Sequence, residues 1–150
     1  MAGSEYEISL QSESERRQAT ILFADISGFT SMAEKLDPEL VTSAMNECFR
    51  MLGAIVERNG GTIDKFIGDC IMVLFGVPKA VEDSPQRAVQ TALEMRDAIH
   101  ESHRARSVEA ELDIHIGINT GEVISGTVGS DQKREYTVIW KNAIASVIPW

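Results

Sequence analysis

Apolar residues along the chain fall into short strand-like runs and helical stripes, and each change of period marks an element. Positions 19–24 (Ala-Thr-Ile-Leu-Phe-Ala) form a nearly continuous apolar run, which suits a central strand covered on both faces. Residues 31–36 suit a short helix. Asp37-Pro38 then reads as an N-cap followed by proline at the first helical position. Val41, Ala44, Met45, Cys48, Leu52, Ile55 and Val56 recur at helical spacing. Asn59-Gly60-Gly61 ends that stripe, because these residue types accept a left-handed backbone. Residues 62–67 and 70–75 read as strands joined by a Gly68-Asp69 turn, hence a β-hairpin. Ser84-Pro85 opens another helix, with a stripe at Ala88, Val89, Ala92, Leu93, Arg96 and Ile99. The charged stretch 100–111 reads as its frayed end and a loop. Alternation over 112–119 predicts a half-buried strand, Thr120-Gly121 a turn, and 122–128 a partner strand. A polar loop at 129–135 and a short strand at 136–139 follow.

This β-α-α-β-β-α-β-β order predicts an α+β fold, a ferredoxin-like sandwich. The helical crossover makes the first two strands parallel. The hairpin turns the third back, so that it can lie antiparallel beside the first. Asp25, ending the first strand, and Asp69, in the hairpin turn, are therefore expected to meet at one edge of the sheet. Residues 1–17, rich in serine and glutamate, read as a flexible lead-in or linker, and 18–139 as the folded core.

Composition narrows the partners. A chain of 150 residues suits one domain, and 43% apolar with 25% charged residues is ordinary for a globular protein. With 23 acidic against 14 basic residues, the net charge of −9 speaks against nucleic acid and against an anionic membrane surface. It leaves nucleotides open, because metal ions and backbone amides can bind phosphate locally. Cys48 and Cys70 form no CxxC pair and read as buried free thiols of a reducing compartment. No apolar run is long enough to span a membrane, and the N-terminus lacks signal-peptide character, so a cytoplasmic location without membrane insertion is expected.

Several residues carry candidate chemistry. Two converging carboxylates suit a hard divalent cation, and a two-metal site can clamp both oxygens of a phosphoryl displacement. Read alone, Asp25 equally suits a helix cap and Asp69 a turn. Gly28-Phe29-Thr30 leads into a helix, where glycine permits close approach and free amides attract phosphate; it is also an ordinary strand-to-helix turn. Lys65 is either a solvated sheet-edge lysine or a donor to a base ring. His115 alternates with isoleucines and reads as an outward polar position rather than a catalyst. No zinc spacing and no Ser-His-Asp arrangement is legible.

Together these stretches resemble the catalytic domain of class III nucleotidyl cyclases, closest to the bacterial-type adenylyl cyclases. Four segments carry the resemblance: 20–30 (TILFADISGFT), 60–69 (GGTIDKFIGD), 115–129 (HIGINTGEVISGTVG) and 135–139 (EYTVI). The resemblance implies the same sandwich and the formation of cyclic AMP, or cyclic GMP, plus pyrophosphate. In it, the 3′-hydroxyl of ATP (or GTP) attacks its own α-phosphate. It implies that Asp25 and Asp69, with the Ile26 carbonyl, hold two Mg²⁺ or Mn²⁺ ions per active site. It puts the amides of Gly28, Phe29 and Thr30 at the triphosphate, and Lys65 with Thr137 at the purine. Lysine with threonine favours ATP. Lys133 or Arg134 is placed to touch phosphate. The resemblance also implies a head-to-tail homodimer, or pairing with a partner cyclase domain, with metal aspartates from one subunit and purine readers from the other. An N-terminal sensor domain is the expected input.

The tail departs from the pattern. After Tyr-Thr-Val-Ile the family continues Gly-Asp-x-Val-Asn-x-Ala-x-Arg, whereas this chain has 140–150 as WKNAIASVIPW. Read without gaps, Ile144 replaces the ribose-orienting asparagine and Ile148 the arginine that stabilises transition-state charge. Aligning Ala145-Ser146 with the family's Ala-Ser pair supplies neither residue. The fold is thus expected to be incomplete at its C-terminus, lacking the family's last strands. A catalytically impaired module that binds nucleotide or a partner cyclase domain is the alternative function. A diguanylate cyclase is disfavoured, because Gly60-Gly61 does not begin a Gly-Gly-Asp-Glu-Phe turn.

Overall fold

The computed structural model describes residues 15–105, 112–130 and 133–140, with side chains within 16–102 and 112–124. Its elements run β1 (Glu15–Ser27), α1 (Phe29–Lys35), α2 (Pro38–Arg58), β2 (Thr62–Ile67), β3 (Cys70–Phe75), α3 (Ser84–Ala105), β4 (Asp113–Ser130) and β5 (Lys133–Trp140). One five-stranded sheet has the order β2-β3-β1-β4-β5, with β1 antiparallel to both β3 and β4. This is the expected α+β sandwich, and β1 is its centre.

Alternation divides the sheet into two faces. Leu22, Ala24 and Ile26 of β1 join Ile71, Val73 and Phe75 of β3 and Ile114 and Ile116 of β4 beneath the helices. Helix α2 contributes Val41, Ala44, Cys48, Leu52, Ile55 and Val56, the stripe that its periodicity predicts. Helix α3 adds Ala88, Ala92, Met95 and Ile99. The opposite face has a second cluster of Ala19, Ile21, Met72, Leu74, Val77 and Val123, against which Phe23 packs.

Helix ends follow their local chemistry. Asp37 caps α2 through its carbonyl, which accepts from the amides of Leu40 (3.0 Å) and Val41 (3.2 Å), and its side chain makes no capping bond. Asn59 closes α2: its Nδ2 donates to the Ile55 carbonyl (2.9 Å) and to Glu94 of α3 (2.5 Å). Gly61 follows where α2 crosses the sheet edge. A Cβ there would lie 2.9 Å from the Phe75 ring and from Val56, so only glycine fits without displacement.

Several boundaries differ from the sequence reading. β1 starts at Glu15, upstream of the apolar run, because residues 15–19 pair with 121–125 of β4. That pairing also overturns the Thr120-Gly121 turn. Both residues lie inside one long strand, with Thr120 bonded through its hydroxyl to Thr20 (2.8 Å) and Gly121 opposite Ala19. The 129–135 loop is corrected too: β4 runs to Ser130 and β5 starts at Lys133, its register opposite Ser130. Backbone pairing in a hairpin needs no apolar side chains, so polar positions hid it. Helix α3 also continues through the charged 100–105. The tail positions Ile144, Ala145, Ser146 and Ile148, and residues 1–14, lie outside the described residues.

Candidate active site

The open end of the sheet is built by register. Asp25 is the cross-strand partner of Cys70 on one side and of His115 on the other, on the face away from the helices. The β2–β3 turn consists of Gly68 and Asp69, with Gly68 left-handed at φ 60°. The amide of Ile26 donates to the Asp69 carbonyl at 3.1 Å. This bond pins the turn against the end of β1. Asp25 and Asp69 therefore meet, as the topology predicts.

Their electrostatics are those of two crowded acids. Asp25 is held above the ordinary carboxylate range, first by partial loss of water, then by the Asp69 charge. A hydrogen bond between the two carboxyl groups acts in the same sense, and the nearby His115 acts against it. Burial pushes the Cys70 thiol up, and the negative charges of Asp25 and Asp69 push it further. Cys70 is thus only half-buried and belongs to the rim of this site, which corrects its reading as a buried thiol; Cys48 is buried as expected. His115 does alternate away from the buried Ile114 and Ile116, and this direction brings it beside Asp25. Neither neighbour was legible in sequence, because both depend on register across three strands.

The donor set fits a hard divalent cation. Two facing carboxylates at a strand end supply oxygen ligands, and like charges in contact gain most from a shared cation. Among the described residues no group of three or more His, Cys, Asp or Glu side chains could hold a metal. Asp25 and Asp69 would thus leave positions for carbonyl, water and phosphate oxygens, the pattern usual for Mg²⁺. The carbonyl of Ile26 is adjacent in sequence to Asp25 and is the expected further ligand.

The other expected site residues are spread around this point. Gly28, left-handed at φ 109°, is the N-cap of α1, and Phe29 and Thr30 form its first turn. Lys65 stands on edge strand β2, opposite Met72, whose next neighbour across the sheet is Phe23. Lys65 and Asp25 therefore share the helix-free face, two strands and two positions apart, or about 12 Å between backbones at standard spacings. Thr137 lies on the opposite edge strand, opposite Gly126, far along β4 from the Lys65 row. The register of a single chain does not bring Thr137 to Lys65. Lys133 and Arg134 begin β5, opposite Ser130 and Gly129.

Comparison with known proteins gives a consistent result. The family model described as the adenylate and guanylate cyclase catalytic domain matches residues 11–146. An adenylate cyclase of Anabaena cylindrica is 35% identical over 129 residues, covering 82% of this chain and 25% of that protein. The crystal structure of the adenylyl cyclase CyaB from P. aeruginosa superposes with a TM-score of 0.77 at 36% identity, covering 86% of this chain and 68% of that one. The guanylyl cyclase Cya2 gives a TM-score of 0.76 at 40% identity, with 86% and 66% covered. The chain spans about a quarter of the length of that curated relative.

Proposed function

The chain belongs to the adenylate and guanylate cyclase catalytic domain family, and we propose that it forms a cyclic nucleotide and takes ATP in preference to GTP. The 3′-hydroxyl oxygen gives up its proton to solvent and bonds to the α-phosphorus, the bond from that phosphorus to the bridging oxygen breaks, and pyrophosphate leaves with the electrons of that bond. The observation that carries this reading is the Asp25–Asp69 pair, pinned by the Ile26 amide to the Asp69 carbonyl. These two carboxylates, with the Ile26 carbonyl, would hold two Mg²⁺ or Mn²⁺ ions. When bound, such ions supply a lowered pKa at the 3′-hydroxyl and charge compensation for the triphosphate.

The chain's own groups bind and orient. Amides in the first turn of a helix have no partners within it, so those at Gly28, Phe29 and Thr30 suit triphosphate oxygens. Lys65, on the helix-free face of the sheet, reads the purine. An ammonium offers only donors, and the adenine ring edge offers an acceptor nitrogen. Overall similarity does not choose the base, since an adenylyl and a guanylyl cyclase resemble this chain about equally. The choice rests on a few positions, of which Lys65 is the best situated. Thr137, its partner by family position, contributes only through a different arrangement of β5 or a second subunit. Lys133 or Arg134 would do the same for phosphate.

The test is incubation with ATP and Mn²⁺ and measurement of cyclic AMP. Product well above an Asp25→Ala control supports the reading, and product no higher than that control overturns it. The tail favours a second reading. Residues 140–150 supply neither the asparagine nor the arginine of the family pattern, and loss of one such charge-stabilising donor costs about 10²–10³ in rate. Saturable Mn²⁺-dependent ATP binding without turnover would identify a binding module that pairs with another cyclase domain.

A further inference from the structure

We infer that Asp64 is a positioning residue for Lys65, holding its ammonium toward the purine of a bound nucleotide. The inference rests on the nucleotide reading above and adds a residue to it. The register of β2 against β3 shifts between Ile63 and Lys65: Ile63 faces Val73, Lys65 faces Met72, and Asp64 is the extra residue. Two consecutive residues of a regular strand point to opposite faces. A β-bulge sets two residues against one partner and re-aims a side chain. Here it lets neighbours in sequence become an ion pair. Asp64 Oδ2 lies 3.5 Å from Lys65 Nζ, with the Asp64 side chain only 8% exposed and that of Lys65 49% exposed.

The carboxylate is otherwise poorly provided for. Among the described residues, Asp64 Oδ2 is the buried side-chain polar atom that makes no hydrogen bond. Burying a charge without full hydrogen bonding is costly, and such costs recur at functional sites. The arrangement has a use. A lysine has a flexible four-carbon stem and loses much rotamer freedom when it binds. A buried carboxylate at the base of the bulge holds the ammonium over the helix-free face, while the exposed half of Lys65 keeps donors free for a ring nitrogen. Asp64 thus removes part of the ordering cost before the base arrives.

The test measures Mn²⁺-dependent binding of non-hydrolysable ATP and GTP analogues by calorimetry. It compares the full chain with its Asp64→Asn, Lys65→Ala and doubly substituted variants, with a thermal melt of each. Asp64→Asn is expected to weaken the ATP analogue about three- to tenfold and narrow the ATP-over-GTP ratio. The double variant should bind no more weakly than Lys65→Ala. The melting temperature of Asp64→Asn should stay level or rise, because a buried charge is removed. Unchanged preference in Asp64→Asn beside lost preference in Lys65→Ala overturns the positioning role alone, as does additivity of the two or a lowered melting temperature. Equal binding by wild type and Lys65→Ala overturns base reading by Lys65 and the positioning role with it. No metal-dependent binding by the wild type overturns the nucleotide reading itself.

Discussion

Asp25 stands against Asp69, and both the loss of water and the like charge disfavour its ionised form. A pair of this kind is useful to a ligand and unfavourable to the free fold. Replacing Asp25 or Asp69 by asparagine removes the repulsion while keeping the shape. In EDTA each variant is expected to melt roughly 2 °C above wild type. Added Mn²⁺ should raise the wild-type midpoint by linkage and leave both variants unmoved. A thermal melt with and without metal reads both effects. A variant that melts lower and still responds to Mn²⁺ would remove the carboxylates from the metal site. At this scale the sequence was informative about residue type and blind to neighbours. Asp25 and Asp69 were legible because one closes the apolar run of β1 and the other sits in a two-residue hairpin turn. Asp64, Cys70 and His115 were not, because a bulge and the cross-strand register decide what they touch.

The elements that hold the site depend on how α2 stops. Asn59 bonds both the Ile55 carbonyl and Glu94, and Arg58 reaches the same carboxylate at 3.3 Å. The Asn59 hydrogen bond is the main reason Glu94 is held below its ordinary range. A carboxylate with a depressed folded pKa adds stability above its unfolded pKa and loses it as pH falls through the folded one. Urea unfolding of wild type should therefore show a stability contribution from Glu94 at neutral pH that fades below about pH 4.5. Asn59→Ala should cost about 1–3 kcal/mol at pH 7, because it removes the side-chain donor shared by the Ile55 carbonyl and Glu94, and should flatten that acid limb. Gly61→Ala is expected to cost about 1–3 kcal/mol by overpacking against Phe75 and Val56, read from the same unfolding curves. The Asn-Gly-Gly stop, the hairpin at 62–75 and the start of α3 were legible because turn and cap chemistry is local. The length of β4 was not. Thr-Gly is a turn signal in isolation, and the extension of β1 to Glu15 gives residues 121–125 a strand to pair with through that point.

At the scale of the molecule, the question is whether one chain holds a whole site. Asp25 and Lys65 lie on one face of the same sheet, about 12 Å apart, a span that a nucleotide could bridge within one subunit. The proposed head-to-tail dimer separates them: the aspartates of one subunit would work with the lysine of the other. The two arrangements differ in a mixing experiment. Asp25→Ala and Lys65→Ala are each expected to abolish cyclic AMP formation when assayed alone. Combined in equal amounts, random exchange makes about half the dimers mixed, and each mixed dimer rebuilds one of its two sites. Activity should then return to about one quarter of wild type, and fall on dilution as dimers dissociate. If the site is completed within one chain, each subunit of the mixture carries a broken site, and no activity returns at any concentration. Should turnover be too slow to follow, the recovery of Mn²⁺-dependent ATP binding in the mixture reports the same distinction, because a composite site binds only where the intact halves face each other.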